Sequence, residues 1–259
     1  MTSAARLTKQ IVVAVVFFLI VGGLGFGGYR VLVPAAPLPT PDLTISLAPI
    51  RVVTAKLLNI ENNDYDFAAK VTNPNTDYGS ADVEYAVKFL DASGNQISQK
   101  TASFYILPGQ TKYVLITPLK FSQPISQAVM EIVSVAWQKL DPLAAGGVNL
   151  TSRNVSYNQI SEPGVFGKAG GSIQNIANFD LGQVDVLVLL FNQGDDLTAV
   201  NRTEIRTFLA NTSRGFEVSW YRPFVGQVNR VEVEAHTNVF ENSNFLRQYE
   251  RQERFQQFY

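Results

Sequence analysis

VKFLDASGNQI, residues 87–97, admits two readings that lead to different folds. An apolar strand running into D-A-S-G-N stops one residue short of D-x-S-x-S, the opening of a divalent-metal loop on a parallel, doubly wound sheet. The same residues also make a strand followed by a tight turn. A metal loop needs Asp, Ser and Ser here, then Thr and Asp from later loops, but Asn95 stands in place of the second Ser. The next residues, QISQKTASFYILPGQTKYVLI, have no apolar stripe of period 3.6 and break at Leu107-Pro108-Gly109, so no helix is expected to cover a parallel sheet. Asp, Ser, Gly and Asn are turn residues: Gly and Asn tolerate positive φ, while Asp and Ser bond nearby amides. The stretch is read as half of a β-hairpin, with no metal at Asp91.

Past residue 45 the hydrophobic period is two. Val83, Tyr85, Val87 and Phe89 alternate with Glu84, Ala86 and Lys88. Tyr113, Leu115 and Thr117 alternate with Lys112, Val114 and Ile116; Val184, Val186, Val188 and Leu190 share one face. Phe216, Val218 and Trp220 alternate with Glu217 and Ser219, and Val231, Val233 and Ala235 oppose Glu232, Glu234 and His236. Alternation with charge on one face predicts antiparallel sheets with one side packed and one side wet. Several such runs with turn residues between them predict an all-β chain of β-sandwiches.

The runs repeat. VTNPNTDYGSADVEYAVKFLDASGN lies over IQNIANFDLGQVDVLVLLFNQGDD at a shift of about 101 residues. Asn73 then meets Asn175, Val83 meets Val184, and Leu90-Asp91 meets Phe191-Asn192. Further on, Leu107 meets Leu209 and Phe121 meets Phe224. Two tandem sandwiches are expected, over 44–141 and 148–242.

Val71 and Asn73 in one strand, Phe89-Leu90-Asp91 with Gly94, and Leu107-Pro108-Gly109 before the next strand resemble the bacterial FxLYD domains. They are also similar to the wider group of LEA14-like β-sandwiches. The tyrosine between Leu and Asp is missing, and the second copy is more divergent. The resemblance implies immunoglobulin-like modules, often tethered to a membrane from outside, with no catalytic residues to carry over.

IVVAVVFFLIVGGLGFGGY, residues 11–29, carries no charge. As a helix it would be about 28 Å long, close to the ~30 Å of a bilayer's hydrocarbon core. Arg6 and Lys9 precede it, so residues 1–10 are expected in the cytoplasm, a transmembrane helix over 11–33, and the remainder outside. The lipid bilayer is thus the first expected partner. Gly23 to Gly28 matches G-x-G-x-x-G literally, but inside an apolar span this is no dinucleotide loop. Gly23 and Gly27 form G-x-x-x-G, a pattern through which two membrane helices approach closely. Residues 34–43 contain PAAPLPTP, a proline-rich stalk.

Bulk composition narrows function. Of 259 residues, 21 are basic and 22 acidic, which leaves no excess charge to attract nucleic acid. There is no cysteine, hence no disulfide, thiolate metal site or cysteine nucleophile. His236 is the single histidine and is expected on an exposed sheet face. ENNDYD, residues 61–66, lacks the ordered spacing of a Ca²⁺ loop and is expected to be a solvated hairpin turn. No pair of acids has the setting of an acid–base couple. The tail, residues 243–259, is expected to form a short amphipathic helix capped by Ser243 or Asn244. Phe245, Tyr249, Phe255 and Tyr259 on its apolar arc would pack on the second sandwich or dock a protein partner or a second copy. No catalytic residue, cofactor, metal or small-molecule substrate is expected. The function expected is a non-catalytic, membrane-anchored module outside the cytoplasmic membrane, structural or protein-binding. The alternative is a ligand-binding or adhesion protein acting through sandwich loops.

Overall fold

Strand pairing in this protein follows the period-two alternation. The computed structural model describes residues 3–32, 46–140 and 148–247, and Met1–Ser46 and Leu47–Tyr259 separate into two units. In the first, helix α1 runs over Ser3–Leu32 and has no acidic residue in its first turn. Side chains are described for residues 11–24 and 26 of α1, and all of them are exposed. α1 occupies the place of the expected span; among the described residues, however, no helix is both long and apolar enough to cross a membrane. The proline stretch lies outside the described residues.

The second unit is all-β apart from short helical turns. Among the described residues, its strands are β1 (Arg51–Glu61), β2 (Asp64–Thr72), β3 (Tyr78–Leu90), β4 (Gln96–Ile106), β5 (Thr111–Lys120) and β6 (Gln127–Lys139). A second set comprises β7 (Leu150–Glu162), β8 (Val165–Asn175), β9 (Leu181–Phe191), β10 (Leu197–Phe208), β11 (Ser213–Trp220) and β12 (Arg230–His236). The sheets are antiparallel, with orders β1-β2-β5, β4-β3-β6, β11-β8-β7 and β10-β9-β12. Strand for strand, the second six repeat the first.

Each pair of sheets closes over its own core. Phe67, Val71, Val83, Val87 and Phe89 fill the first; Ile173, Val184, Val186, Val188 and Phe208 fill the second. The repeat extends to single atoms. Buried Asn73 donates from Nδ2 to the carbonyls of Tyr78 (2.7 Å) and Leu107 (2.9 Å). Buried Asn175 donates in the same way to Phe179 (3.2 Å), Phe208 (3.3 Å) and Leu209 (3.2 Å). Aligned asparagines thus bond the backbone of aligned leucines and satisfy strand-end carbonyls that burial would otherwise strand.

DASGN is the turn of the β3–β4 hairpin. Asp91 Oδ1 accepts from the amides of Ser93 (2.8 Å) and Asn95 (2.9 Å), and Gly94 takes φ +82°. In the second copy Asn192 Oδ1 accepts from Gly194 (2.8 Å) and Asp196 (3.0 Å), with Asp195 at φ +60°. The side-chain oxygen is what both copies keep, because it holds the bend.

One expectation fails. β2, β5 and β9 have no wet face. Opposite the second core, Leu187, Leu189 and Phe191 are buried as well, against Leu58, Ala68 and Leu115 of the first sandwich. The sheet β1-β2-β5 therefore packs face to face on β10-β9-β12, and four sheets lie in layers. This is why DVLVLLF is apolar at nearly every position: a strand covered on both sides needs no polar stripe.

Candidate functional site

Two polar sites lie where the sandwiches meet. The first lines an open groove of about 770 Å³ between the edges of β4 and β5. Lys112, expected on a wet face, is only 5% exposed. Its ammonium lies 3.7 Å from the centre of the Tyr105 ring and donates to the Tyr105 carbonyl at 3.2 Å. Burial pulls its pKa down to about 8, partly offset by Asp185 and Glu234. Tyr105 Oη donates to Asp185 Oδ2 at 3.1 Å, and burial with that carboxylate pushes the phenol well above its ordinary range.

His236 is not exposed but half-buried beside these groups. Gln110 fixes its tautomer. The Gln110 Oε1 accepts from the Leu107 amide at 2.9 Å, so its Nε2 donates to His236 Nδ1 at 3.1 Å. Nε2 of the ring then donates to Glu234 Oε2 at 3.0 Å, and a neutral imidazole satisfies both contacts. The same Glu234 oxygen accepts from the Tyr113 amide at 2.9 Å, on the free edge of β5. A carboxylate from the second sandwich thus covers an unpaired strand edge of the first.

The second site arises from turn chemistry. Asn62 and Asn63 both take positive φ, 50° and 61°, and form a two-residue hairpin turn. The turn ends there, so Asp64 and Asp66 belong to β2 and point, like Ala68, toward the second sandwich. Both are buried rather than solvated, which corrects the reading of ENNDYD. Arg222 pairs with Asp64, and Lys120 lies 3.5 Å from the same carboxylate. Asp66 has no such partner. Its Oδ1 is buried without a hydrogen bond, and desolvation raises its pKa, less the effect of a hydrogen bond from Thr117. Asp66 lines a cleft of about 200 Å³ whose other walls include Leu58, Trp220, Tyr221 and Phe224.

Of the expected interaction residues, Gly23 and Phe245 have described surroundings. A Cβ at Gly23 would meet nothing within 4 Å; the surroundings of Gly27 lie outside the described residues. Phe245 is an interior residue, packed with Leu140 and Val239 and edge-on to Phe179 at 5.5 Å. Its docking role is thereby corrected, since its face is already used within the chain. The helical turn that carries it is capped by Asn242, whose Oδ1 accepts from the amides of Asn244 (3.0 Å) and Phe245 (3.1 Å), rather than by Ser243 or Asn244. Tyr249, Phe255 and Tyr259 lie outside the described residues. Among the described residues no group of three or more His, Cys, Asp or Glu could hold a metal ion.

No protein-family model matches the chain, and no curated protein sequence does. The crystal structure of red sea bream transglutaminase is similar over 72% of this chain and 29% of that chain, at 13% identity and a TM-score of 0.22. This chain therefore spans well under half of that structure, and a likeness so slight supports no conclusion about fold or activity.

Proposed function

We propose that the protein is a non-catalytic module held at the outer side of the cytoplasmic membrane by α1, with its immunoglobulin-like sandwiches serving a structural or protein-binding role. The observation that carries the structural part is the joint between the sandwiches: Leu58, Leu115, Leu187 and Leu189 form a buried apolar cluster of their own. Flexibly linked domains have polar, modest interfaces; a cluster of this kind suits a rigid body that holds a fixed geometry. Support for the anchor comes from α1, whose 30 residues extend about 45 Å and whose described side chains from 11 to 24 are apolar or glycine and exposed. The absence of cysteine makes topology directly testable. In whole cells, a membrane-impermeant maleimide should label Ser93→Cys and should reach Ser3→Cys only after lysis. Labelling of both before lysis, or recovery of the chain in the soluble fraction, overturns the anchored reading.

A ligand-binding role through sandwich loops is the second reading. The cleft at Asp66 favours ligand binding, at strands between the sandwiches rather than at loops, being concave, aromatic and polar at once.

A further inference from the structure

Asp66 is a carboxylate held where water is scarce, with one oxygen unanswered. We propose that the cleft between β2 and the end of β11 binds a primary ammonium group on a short aliphatic stem, with Asp66 as its counter-ion. The proposal deepens the ligand-binding reading, on which it rests, and needs no anchor.

Three observations converge on that chemistry. Buried polar groups are nearly always hydrogen-bonded, yet Asp66 Oδ1, on a residue only 5% exposed, has no partner among the described residues. The neighbouring cations are already engaged: Arg222 and Lys120 both pair with Asp64, and neither supplies a donor to Asp66 Oδ1, which is left for a donor from outside. The walls select its form. A divalent cation takes six or more oxygen ligands, whereas Leu58, Ile60, Trp220 and Phe224 make much of this lining apolar. An alkylammonium suits both parts, its stem against the apolar wall, its charge on the carboxylate and beside aromatic faces. The cleft, about 200 Å³, holds on the order of six waters at ~30 Å³ each, enough for a stem of a few carbons. Tyr221, which lines the cleft at this end of β11, is exposed, so the cleft borders solvent there.

Trp220 reports on the site, since it lines the cleft and donates its indole N–H to the Val200 carbonyl at 3.2 Å. The chain has two tryptophans, so its ¹⁵N–¹H spectrum carries two indole signals, and Trp137→Phe assigns them. The full chain in a non-ionic detergent is titrated with n-butylammonium chloride, n-butanol and potassium chloride. n-Butylammonium should shift the Trp220 signal and saturate at millimolar concentration, with n-butanol at least tenfold weaker and potassium chloride inert. Asp66→Asn, nearly equal in shape, should weaken n-butylammonium at least tenfold and leave n-butanol unchanged. Binding of n-butylammonium should also weaken as pH falls and Asp66 takes up a proton. Equal binding of n-butanol and n-butylammonium overturns the ammonium assignment while keeping the cleft as a ligand site. A response to potassium chloride alone overturns it in favour of a simple ion. No shift with any probe overturns the ligand-binding reading as well; the probe comparison on the unaltered chain needs no variant to fold.

Discussion

Leu189→Ala tests whether the two sandwiches are one body. Leu189 is fully buried, yet it faces away from the second core and toward the first sandwich. The substitution removes three carbons, about 2.4 kcal/mol at ~0.8 kcal/mol each. The hole left between sheets adds to that, since Leu→Ala in packed interiors costs about 3–5 kcal/mol. A loss of about 3–4 kcal/mol is therefore expected. Val188→Ala, one residue away and facing the second core, is the control for ordinary core damage. Urea unfolding of a chain beginning at Leu47, followed by tryptophan fluorescence and circular dichroism, separates the cases. Trp137 lies in the first sandwich and Trp220 in the second, so each can be followed alone after replacing the other with Phe. If the joint is integral, Leu189→Ala lowers the midpoint seen by both tryptophans. If the sandwiches part in solution, Leu189 is already wet and its loss costs under ~1 kcal/mol. That result, or a shift at Trp220 alone, refutes the four-layer reasoning.

The buried polar groups lead to three further outcomes. Lys112 has its pKa reduced from 10.5 to about 8, so below pH 8 it is charged folded or unfolded and the penalty is complete. Between pH 8 and 10 the folded chain gives up the proton first and stability rises, by about 3 kcal/mol at ~1.4 per tenfold in proton affinity; Lys112→Met should abolish the rise in a pH series of urea midpoints. Tyr105 opposes it above pH 10, where the unfolded phenol ionises and the folded one does not. Asp66 has its pKa raised, so its contribution is present below the unfolded value of 3.8 and is lost as pH climbs through the folded one; Asp66→Asn should accordingly raise the melting temperature at pH 7 and not at pH 3. Asn175→Ala strips the side-chain donor from three strand-end carbonyls and should cost about 2–4 kcal/mol, whereas Asn192→Asp, which keeps the accepting oxygen, should cost under ~1 kcal/mol by the same urea assay.

How far the sequence could be read depended on where each strand's partner lay. β3, β11 and the inward face of β9 show clean alternation because their partners are neighbours in the same sandwich. The equivalence of Asn73 with Asn175 was likewise legible, since both sit at a fixed distance from an aligned leucine. Faces covered by the other sandwich were not. Glu234 and His236 look like a solvent stripe, and polar residues that close a strand edge have the same pattern as polar residues that meet water; Lys112 shares its β5 face with Val114 of the first core and is hidden at that core's edge. The run of apolar side chains on both faces of β9 was the available signal. Asp66 was hidden differently: its acidic neighbourhood suggested a solvated loop, and only the positive φ of Asn62 and Asn63 shows that the turn is already over.

The joint also explains how the two copies diverged. It sets the β2 sheet of the first copy against the β9 sheet of the second, faces that are not equivalent. A contact of that head-to-tail kind repeats without end if the outer faces match the inner ones. They do not. Where β9 offers Leu187 and Leu189 to the joint, the equivalent outward positions of β3 are Ala86 and Lys88, and Lys88 pairs with Glu131 at 2.7 Å. Where the first copy offers Asp66 and Leu115, the second has Lys168 and Glu217, paired at 3.4 Å. An ion pair thus stands on each outer face at positions that are apolar or acidic inside. Exposed pairs of this sort add little stability, but burying them against another sheet would strip their water at a cost of several kcal/mol per ion. These pairs disfavour a third layer on either outer face, so a protein partner is expected to engage loops, strand edges or the cleft rather than continue the layers.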